Sequence, residues 1–322
     1  MNQEYIRLIK KQKMYTFSKN GSLEKQCEIF ILKFIENRMK IKGGTTMNKI
    51  KVLLVTGKVT TEHNYPKMNE KIRLMLESTG RFTVRIIEEF NGVTERTVEG
   101  YDLIFLNYDG KDTPTSKYER WEEGAEKVFF DFVRKGKGIF IHHSAVWLDD
   151  DMPDDYKKMW GYYLTSPESR KNPCDDIMVS VRKAEDPIMS GLDDFMVVGD
   201  DFFAGVLKQE ETKPEVLAAV YDDVSMYKKA GWPAPHHPVL IPDGKLENMR
   251  GVETWQPVVW KNTFGEGRVF ACSLGHDIDT YRRINYLTLF VRGAEWAATG
   301  KVTLDKPDRS GENRFNAWPY YS

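Results

Sequence analysis

The sequence predicts an α/β fold whose mostly parallel, doubly wound sheet is covered by helices on both faces. Three observations lead to this prediction. Short apolar runs, typical of strands buried on both faces, recur along the chain, and segments with apolar residues at helical spacing separate them. One of these runs, GIFIHHSA (138–145), passes directly from a buried strand into paired histidines. Because open α/β sheets bind ligands at the carboxyl ends of their strands, this segment indicates where the protein acts.

The first half of the chain alternates regularly between strand and helix. KIKVLLVTG (49–57) has the apolar run and final glycine of a central strand, and the loop after it carries His63. Further strands are predicted at 82–89, 101–108 and 138–145, and helices at 67–79 and 116–135. This order predicts right-handed crossovers between parallel strands, and hence a flavodoxin-like, three-layer sandwich.

The second half is less regular. Strands are predicted at 177–183, 195–203 and 215–222, a hairpin over 257–277, and helices within 154–164 and 281–298. Residues 224–256 form a segment rich in proline and glycine that is too long for an ordinary connection, so we interpret it as a lid or an interaction surface. It carries His236 and His237, for which we expect a surface loop, with closure over the sheet edge as the alternative.

The two ends of the chain differ from this body. Residues 1–46 carry a formal charge of +6 and precede a further methionine, Met47, which lies directly before the first strand. Lys42-Gly43-Gly44 is what a purine-rich bacterial ribosome-binding site encodes when it is translated. We therefore expect Met47 to be the true start and the first 46 residues to be a translated leader or a disordered extension, with a genuine arm as the alternative; peptides from before Met47 in the native protein would contradict this. The body is expected over 47–300 and a polar tail over 301–322.

Composition excludes several classes of protein. Beyond its first 46 residues the chain has a formal charge of −7 and no basic stripe, which argues against nucleic acid as a partner. No apolar run reaches the length of a membrane span and no signal-peptide region is present, so we expect a cytoplasmic protein without a membrane partner. The three cysteines (Cys27, Cys174 and Cys272) are widely spaced and predict neither a disulfide framework nor a cysteine metal cluster.

Histidines are the strongest signal for a functional site. Four of the six fall in loops expected at the carboxyl edge of the sheet: His63, His142, His143 and His276. Three separate loops that each deliver a histidine to one edge favour a catalytic cluster, or a divalent-metal site formed by His63, His143 and His276. The alternative is that these are structural histidines near strand ends.

Other side chains near the same edge are also candidates. Asp200 and Asp201 end an apolar strand, and because adjacent side chains on a strand point to opposite faces, at most one of them faces the site. Trp147 belongs to an aromatic group that either walls a pocket or packs in the core. Ser144 lies at the turn where hydrolases and amidotransferases of related folds carry their nucleophile. The turn holds no cysteine and no flanking glycines, so it excludes a cysteine-dependent amidotransferase and leaves a serine hydrolase as the weakest alternative.

Together these motifs resemble the ThuA-like family, which is associated with trehalose utilisation. The resemblance runs from Lys49 to Gly300, and its most specific part is GRVFACSLGHD (267–277) with RGAEWAA (292–298). It implies the fold of class I glutamine amidotransferases without their cysteine. It also matches His63, His143 and His276 to the three loop histidines of the family, some members of which hold a metal ion. The family's acidic motif reads Asp-Glu, one residue, then tyrosine, whereas this chain has DDFF (200–203), with a shorter acid and no hydroxyl group.

The resemblance implies a carbohydrate-active enzyme for disaccharides or their 3-keto derivatives. A ring ketone acidifies the neighbouring C–H, so we expect His143 to remove that proton, with His276 or a metal stabilising the enolate oxygen and Asp201 orienting a histidine or protonating the leaving group. The catalytic set is completed by His63, and the expected substrate contacts are His142, Trp147, Asp200 and Asp277. Isomerisation and eliminative cleavage both fit, and a sugar-binding or regulatory module is the alternative. The expected partner is a small carbohydrate, the only cofactor considered is a divalent metal, and homo-oligomerisation stays open.

Overall fold

The computed structural model describes residues 48–57, 63–108, 110, 117–173, 175–232 and 239–305. The predictions for residues 1–46, for the tail beyond 305 and for His236 and His237 lie outside the described residues. The strands of the described part are β1 (Ile50–Thr56), β2 (Phe82–Ile87), β3 (Leu103–Asn107), β4 (Gly138–His142), β5 (Tyr162–Tyr163), β6 (Arg170–Lys171), β7 (Asp175–Val181), β8 (Phe195–Asp200), β9 (Phe203–Ala204), β10 (Leu207–Lys208), β11 (Glu215–Tyr221), β12 (Trp255–Phe264) and β13 (Gly267–Cys272). Its α-helices are α1 (Tyr65–Ser78), α2 (Glu95–Val98), α3 (Glu123–Arg134), α4 (Asp154–Trp160), α5 (Val224–Ala230) and α6 (Ile284–Thr299).

Nine of these strands form one sheet in the order β2-β1-β3-β4-β13-β12-β11-β7-β8. The five strands from β2 to β13 are parallel to one another, and the remaining strands continue the sheet in antiparallel pairs. The parallel order 2-1-3-4, with β13 in fifth place, is that of flavodoxin-like folds. The predicted three-layer, doubly wound α/β sandwich is therefore confirmed.

Both faces of the inner parallel strands β1, β3, β4 and β13 are buried, whereas β2 lies at the edge of the sheet. In β1, Val52 and Leu54 pack in the core under α1 and α6, whereas Leu53 and Val55 pack in the core under α3 and α4. Since successive side chains of a strand point to opposite faces, a strand covered on both sides must be apolar at nearly every position. This explains why these strands read as continuous apolar runs.

The helix predicted over 116–135 begins later than expected, at Glu123. The residues before it are held by contacts with other parts of the chain. The backbone N–H of Tyr118 donates to Asp149, and the Trp121 ring packs on Phe90 with 4.4 Å between ring centroids.

Among the described residues, no helix combines the length and apolar character that crossing a membrane requires.

The segment 224–256, interpreted from sequence as one long loop, is partly folded. It contains α5, and its apolar residues Tyr227, Met249 and Val252 form a small core of their own. A buried ion pair between Arg170 and Asp222 ties the chain just before this segment to β6. The proline and glycine content of the segment led us to predict no helix here, whereas the structure has a short one that tertiary contacts stabilise.

The carboxyl ends of the neighbouring strands β1, β3, β4 and β13 lie at one edge of the sheet. The chain leaves β4 through a 3₁₀ turn, His143–Val146. The far end of the sheet returns to the same edge, because Asp200 at the end of β8 accepts hydrogen bonds from Gly275 and Thr280 in the loop that follows β13. The sheet therefore curls, and residues from its antiparallel part join the edge that carries the histidines.

Candidate functional site

Three histidines from three loops meet at this edge. His63 follows β1, His143 follows β4 and His276 follows β13. His63 Nε2 lies 3.1 Å from His143 Nε2, and His276 Nδ1 lies 3.3 Å from the same atom. One nitrogen from each ring falls within a group whose members are all within 4.8 Å of one another. The structure thus brings together the three histidines that the sequence singled out.

His143 is the centre of this cluster. Its side chain is fully buried and its backbone has a φ of 47°, a conformation that a residue other than glycine adopts rarely and at some cost. Its Nδ1 lies 2.9 Å from the carbonyl oxygen of Ser273, which can only accept, so Nδ1 carries the hydrogen and Nε2 carries a lone pair. Burial, reinforced by the neighbouring His63 and His276, lowers the pKa of His143 well below its ordinary value, so the ring is neutral.

His276 is held in place through its backbone. The Asp200 carboxylate is fully buried and accepts hydrogen bonds from the backbone N–H groups of Gly275, His276 and Asp277 and from the hydroxyl group of Thr280. Burial, followed by the charge of Asp201, raises the pKa of Asp200 to about 7. Asp200 therefore positions the loop that carries His276, in a place where the sequence suggested a substrate contact.

Asp201 is the carboxylate that meets the histidine cluster. Its side chain is fully buried, with Oδ2 3.0 Å from Lys171 Nζ and 3.4 Å from His276 Nδ1. One member of the acidic pair thus holds backbone groups and the other faces a histidine ring, as strand alternation leads us to expect. Sequence reasoning missed Lys171, because a lysine on a two-residue strand belongs to no pattern that marks it.

One nitrogen from each of the three imidazoles lies close enough to the others for the group to hold a metal ion. Zinc with Zn–N bonds of about 2.0–2.1 Å sets tetrahedral ligand nitrogens about 3.3 Å apart, and the distances of 3.1 and 3.3 Å around His143 Nε2 come close to this. The hydrogen bond from His143 Nδ1 to a backbone carbonyl is the usual second contact of a metal-binding histidine. The described residues therefore fit a divalent metal held by His63, His143 and His276.

A family model for ThuA, described as trehalose utilisation, matches residues 51–297. The chain belongs to the ThuA family. Among solved structures, the ThuA-like protein of Parabacteroides merdae is 21% identical with a TM-score of 0.62, covering 81% of this chain and 94% of that one. The ThuA-like protein of Bacteroides uniformis is 15% identical with a TM-score of 0.55, covering 81% and 97%. At these identities the similarity shows the fold alone. A search among curated proteins finds no match.

Phe203, at the position for which the resemblance implies a tyrosine, packs against the cluster. Its ring stacks on His143 with 5.1 Å between centroids, and the Trp147 ring meets Phe203 edge-on at 5.4 Å. The Phe203 ring thus forms an apolar wall beside His143. Trp147 reaches the cluster through Phe203, so its predicted contact with substrate stays a prediction.

The other predicted residues of this ThuA-family chain lie apart from the cluster or are engaged locally. His142 is fully buried, with Nδ1 3.0 Å from Asn107 Oδ1 and Nε2 3.1 Å from the hydroxyl group of Tyr286, a geometry that favours a structural role. The side chain of Asp277 accepts the backbone N–H of Asp279. The hydroxyl group of Ser144 lies 3.3 Å from the hydroxyl group of Tyr65. A serine nucleophile needs a histidine in that place, so the contact gives no support to Ser144 as a hydrolase residue.

Proposed function

We propose that this ThuA-family chain is a carbohydrate-active enzyme that moves a proton at the carbon beside the ketone of a 3-keto-disaccharide or a related keto-glycoside. The family supports a carbohydrate-related role. The observation that carries the proposed chemistry is the contact between His276 and Asp201, in which an imidazole with a 21% exposed side chain lies 3.4 Å from a buried carboxylate.

In this proposal His276 is the residue that transfers the proton. Its Nδ1 faces Asp201 and His143, so Nε2 lies on the opposite side of the ring from these contacts. A carboxylate that accepts the Nδ1–H hydrogen bond selects the tautomer with a lone pair on Nε2 and makes that nitrogen more basic. Because a ring ketone acidifies the neighbouring C–H, a histidine so oriented can remove its proton near neutral pH.

This assignment differs from the expectation that His143 is the base. His143 is fully buried, Ser273 engages its Nδ1, and its Nε2 faces the other two histidines. A base must reach the substrate C–H, and His276 is the more exposed of the two rings. We therefore propose that His143 holds the rings of His63 and His276 in place rather than removing the proton.

A divalent metal, zinc or a similar ion, is the second candidate, and the nitrogen–nitrogen distances of the cluster favour it. When bound, such a cation would stabilise negative charge on the enolate oxygen. His63, His143 and His276 would hold it, and His276 would then present Nε2–H to the substrate as a hydrogen-bond donor rather than as a base.

Isomerisation and eliminative cleavage of the glycosidic bond share this proton transfer as their first step, so the proposal covers both. The ligand is a small carbohydrate in either case. A cytoplasmic location, a bacterial origin and a homo-oligomeric assembly stay predictions.

The test is to incubate tag-free protein in D₂O with a panel of 3-keto-disaccharides and their unoxidised parents. We expect deuterium uptake beside the ketone, and none in the parents, which lack the acidified C–H. Monosaccharide release together with uptake indicates eliminative cleavage, and uptake alone indicates isomerisation. Uptake that survives chelation supports His276 and Asp201 without metal, whereas uptake lost on chelation and restored by zinc supports the metal candidate.

Two results would contradict the proposal. Release of sugar from the unoxidised parents would favour hydrolysis. Binding of the sugars without uptake or release would favour a sugar-binding or regulatory module.

A further inference from the structure

We propose that Lys171 is a positioning residue of this site, whose ammonium group holds Asp201 with Oδ2 directed at His276. Its effect on turnover rests on the proposed function, whereas its effect on the His276 ring does not. The contact that carries the inference is the 3.0 Å distance between Lys171 Nζ and Asp201 Oδ2, the same oxygen that lies 3.4 Å from His276 Nδ1.

The two cations of β6 have different surroundings. Arg170 is almost completely buried, pairs with Asp222 and Tyr227, and so joins β6 to the segment that contains α5. Lys171 pairs with Asp201 and keeps 19% of its side chain exposed. Because adjacent side chains of a strand point to opposite faces, one short strand can tie down a neighbouring segment with one residue and serve the site with the next.

The backbone of β6 is also fixed against the site. β6 pairs with β9 in antiparallel register, with Lys171 opposite Phe203. Phe203 stacks on His143, and Asp201 lies two residues before Phe203. Strand β6, which carries Lys171, is thus paired with β9, which follows Asp201. The distance from Lys171 to Asp201 is therefore set by backbone pairing as well as by charge.

Removing the ammonium group should displace Asp201. Its carboxylate is fully buried, and a buried charge that loses an ion-pair partner is strongly destabilised, so it turns toward water or recruits another donor. Either movement takes Oδ2 away from its place beside His276 Nδ1. The His276 ring then loses the charged acceptor beside Nδ1, while the neutral Nε2 of His143 stays 3.3 Å from the same nitrogen.

A second lysine offers a matched control. Lys261 has a 14% exposed side chain and pairs with Asp186, whose side chain is 6% exposed, and more distantly with Glu215. It lies on β12, and its pairing involves none of the three histidines. Lys261→Met therefore removes a similar ammonium group from a similar ion pair without touching the cluster.

The experiment compares Lys171→Met, Lys171→Arg and Lys261→Met with the unmodified protein. The first readout is the ¹⁵N and ¹H spectrum of the histidine rings in chelator-treated protein, in which His276→Gln identifies the His276 signals. The second readout is kcat and KM for deuterium uptake with a 3-keto-disaccharide. Circular dichroism and thermal unfolding check that each variant is folded.

We expect Lys171→Met to shift the His276 ring signals and to lower kcat by about 10- to 100-fold with KM changed less than about threefold, as loss of an outer contact does at functional centres. Lys171→Arg should restore most of both, because it restores the charge. Lys261→Met should lower stability alone. If Lys171→Met does not fold, Lys171→Gln, which keeps a donor without a charge, takes its place with the same expectation.

Unchanged His276 signals in a folded Lys171→Met protein would overturn the inference. So would a rise in KM at constant kcat, which would make Lys171 a substrate contact, or a loss no larger than that of Lys261→Met. If the unmodified protein turns over no keto sugar, the proposed function fails, and the ring spectrum alone still decides whether Lys171 positions Asp201 against His276.

Discussion

His142 and His143 are adjacent in the chain and have different surroundings. The left-handed backbone of His143 turns its ring toward His63 and His276, whereas the ring of His142 stays among polar groups inside the sheet. The polar chain that surrounds His142 runs through Thr56, Asn69, Asn107 and Tyr286. Sequence position alone could not separate the two histidines, because one positive φ decides which of them faces the site.

The buried His142 predicts a measurable dependence of stability on pH. Asn107 donates through its Nδ2 to Asn69, so its Oδ1 accepts from His142 Nδ1, and His142 Nε2 accepts from Tyr286. Burial, followed by the charge of His63, lowers the pKa of His142 to about 3 from the 6.5 of an exposed ring. The unfolded chain therefore binds a proton below pH 6.5 that the folded protein refuses until about pH 3, and the free energy of unfolding falls as the pH falls through this interval.

We expect His142→Gln to remove this share of the dependence. Between pH 7 and pH 5 the free energy of unfolding of the unmodified protein should fall by about 2 kcal/mol more than that of the variant. This difference follows from the lowered pKa of one histidine. Urea unfolding of both proteins at the two pH values, with chelator present, measures the difference. Equal losses in the two proteins would show that His142 titrates in the folded state much as it does in the unfolded chain.

At the scale of elements, the turn from Ser273 to Asp277 decides the position of the site. It supplies the carbonyl group that fixes His143 and the residue His276 itself, and it closes on the side chain of Asp200. Gly275 makes this closure possible, with a φ of +105° and no room for a side chain. A Cβ atom there would overlap the hydroxyl group of Tyr286 and come within 2.8 Å of His142 Nε2.

We expect Gly275→Ala to be markedly more harmful than an equivalent change elsewhere. Gly231, after α5, also has a positive φ (+68°), but a Cβ atom there would meet nothing within 4 Å. Gly231→Ala should cost about 1–2 kcal/mol for its backbone conformation alone, and Gly275→Ala about 1–3 kcal/mol more because it also overpacks the turn. Urea unfolding measures both, and equal costs would mean that the turn has more room than the structure shows.

The RGAEWAA motif of α6 serves the fold rather than the site. Arg292 donates to the carbonyl oxygen of Ser190 at 2.7 Å, and Glu295 accepts from Arg81 at 2.8 Å and from the backbone N–H of Thr303. These contacts join α6 to three loops away from the histidines. The charged residues of this motif, on which the resemblance to the family partly rests, therefore make tertiary contacts that hold α6 in place.

At the scale of the whole molecule, the sequence predicts the parallel part of the sheet well. Strands buried on both faces and amphipathic helices leave clear patterns, and their alternation predicts the parallel, doubly wound arrangement of β1, β2, β3 and β4. In the antiparallel part, the hairpin of β12 and β13 was predicted as a pair, and β7, β8 and β11 were predicted as strands without an order. Its curl, which brings β8 back to the loop after β13, depends on long-range hydrogen bonds that no local pattern encodes.

The same distinction holds for the site. The topology places His63, His143 and His276 at one sheet edge, so their approach could be expected from strand ends alone. The contact of Asp201 with His276 and the contribution of Lys171 require the curled sheet and the pairing of β6 with β9, so they could not.

The central claim is that His276, oriented by Asp201, transfers the proton, and the rate of deuterium uptake beside the ketone by His276→Gln tests it most directly. With chelator-treated protein and a saturating 3-keto-disaccharide, we expect the variant to exchange at least about 100-fold more slowly than the unmodified protein. It should still bind the sugar and unfold at a similar temperature. Exchange at an undiminished rate in the folded variant would contradict the claim.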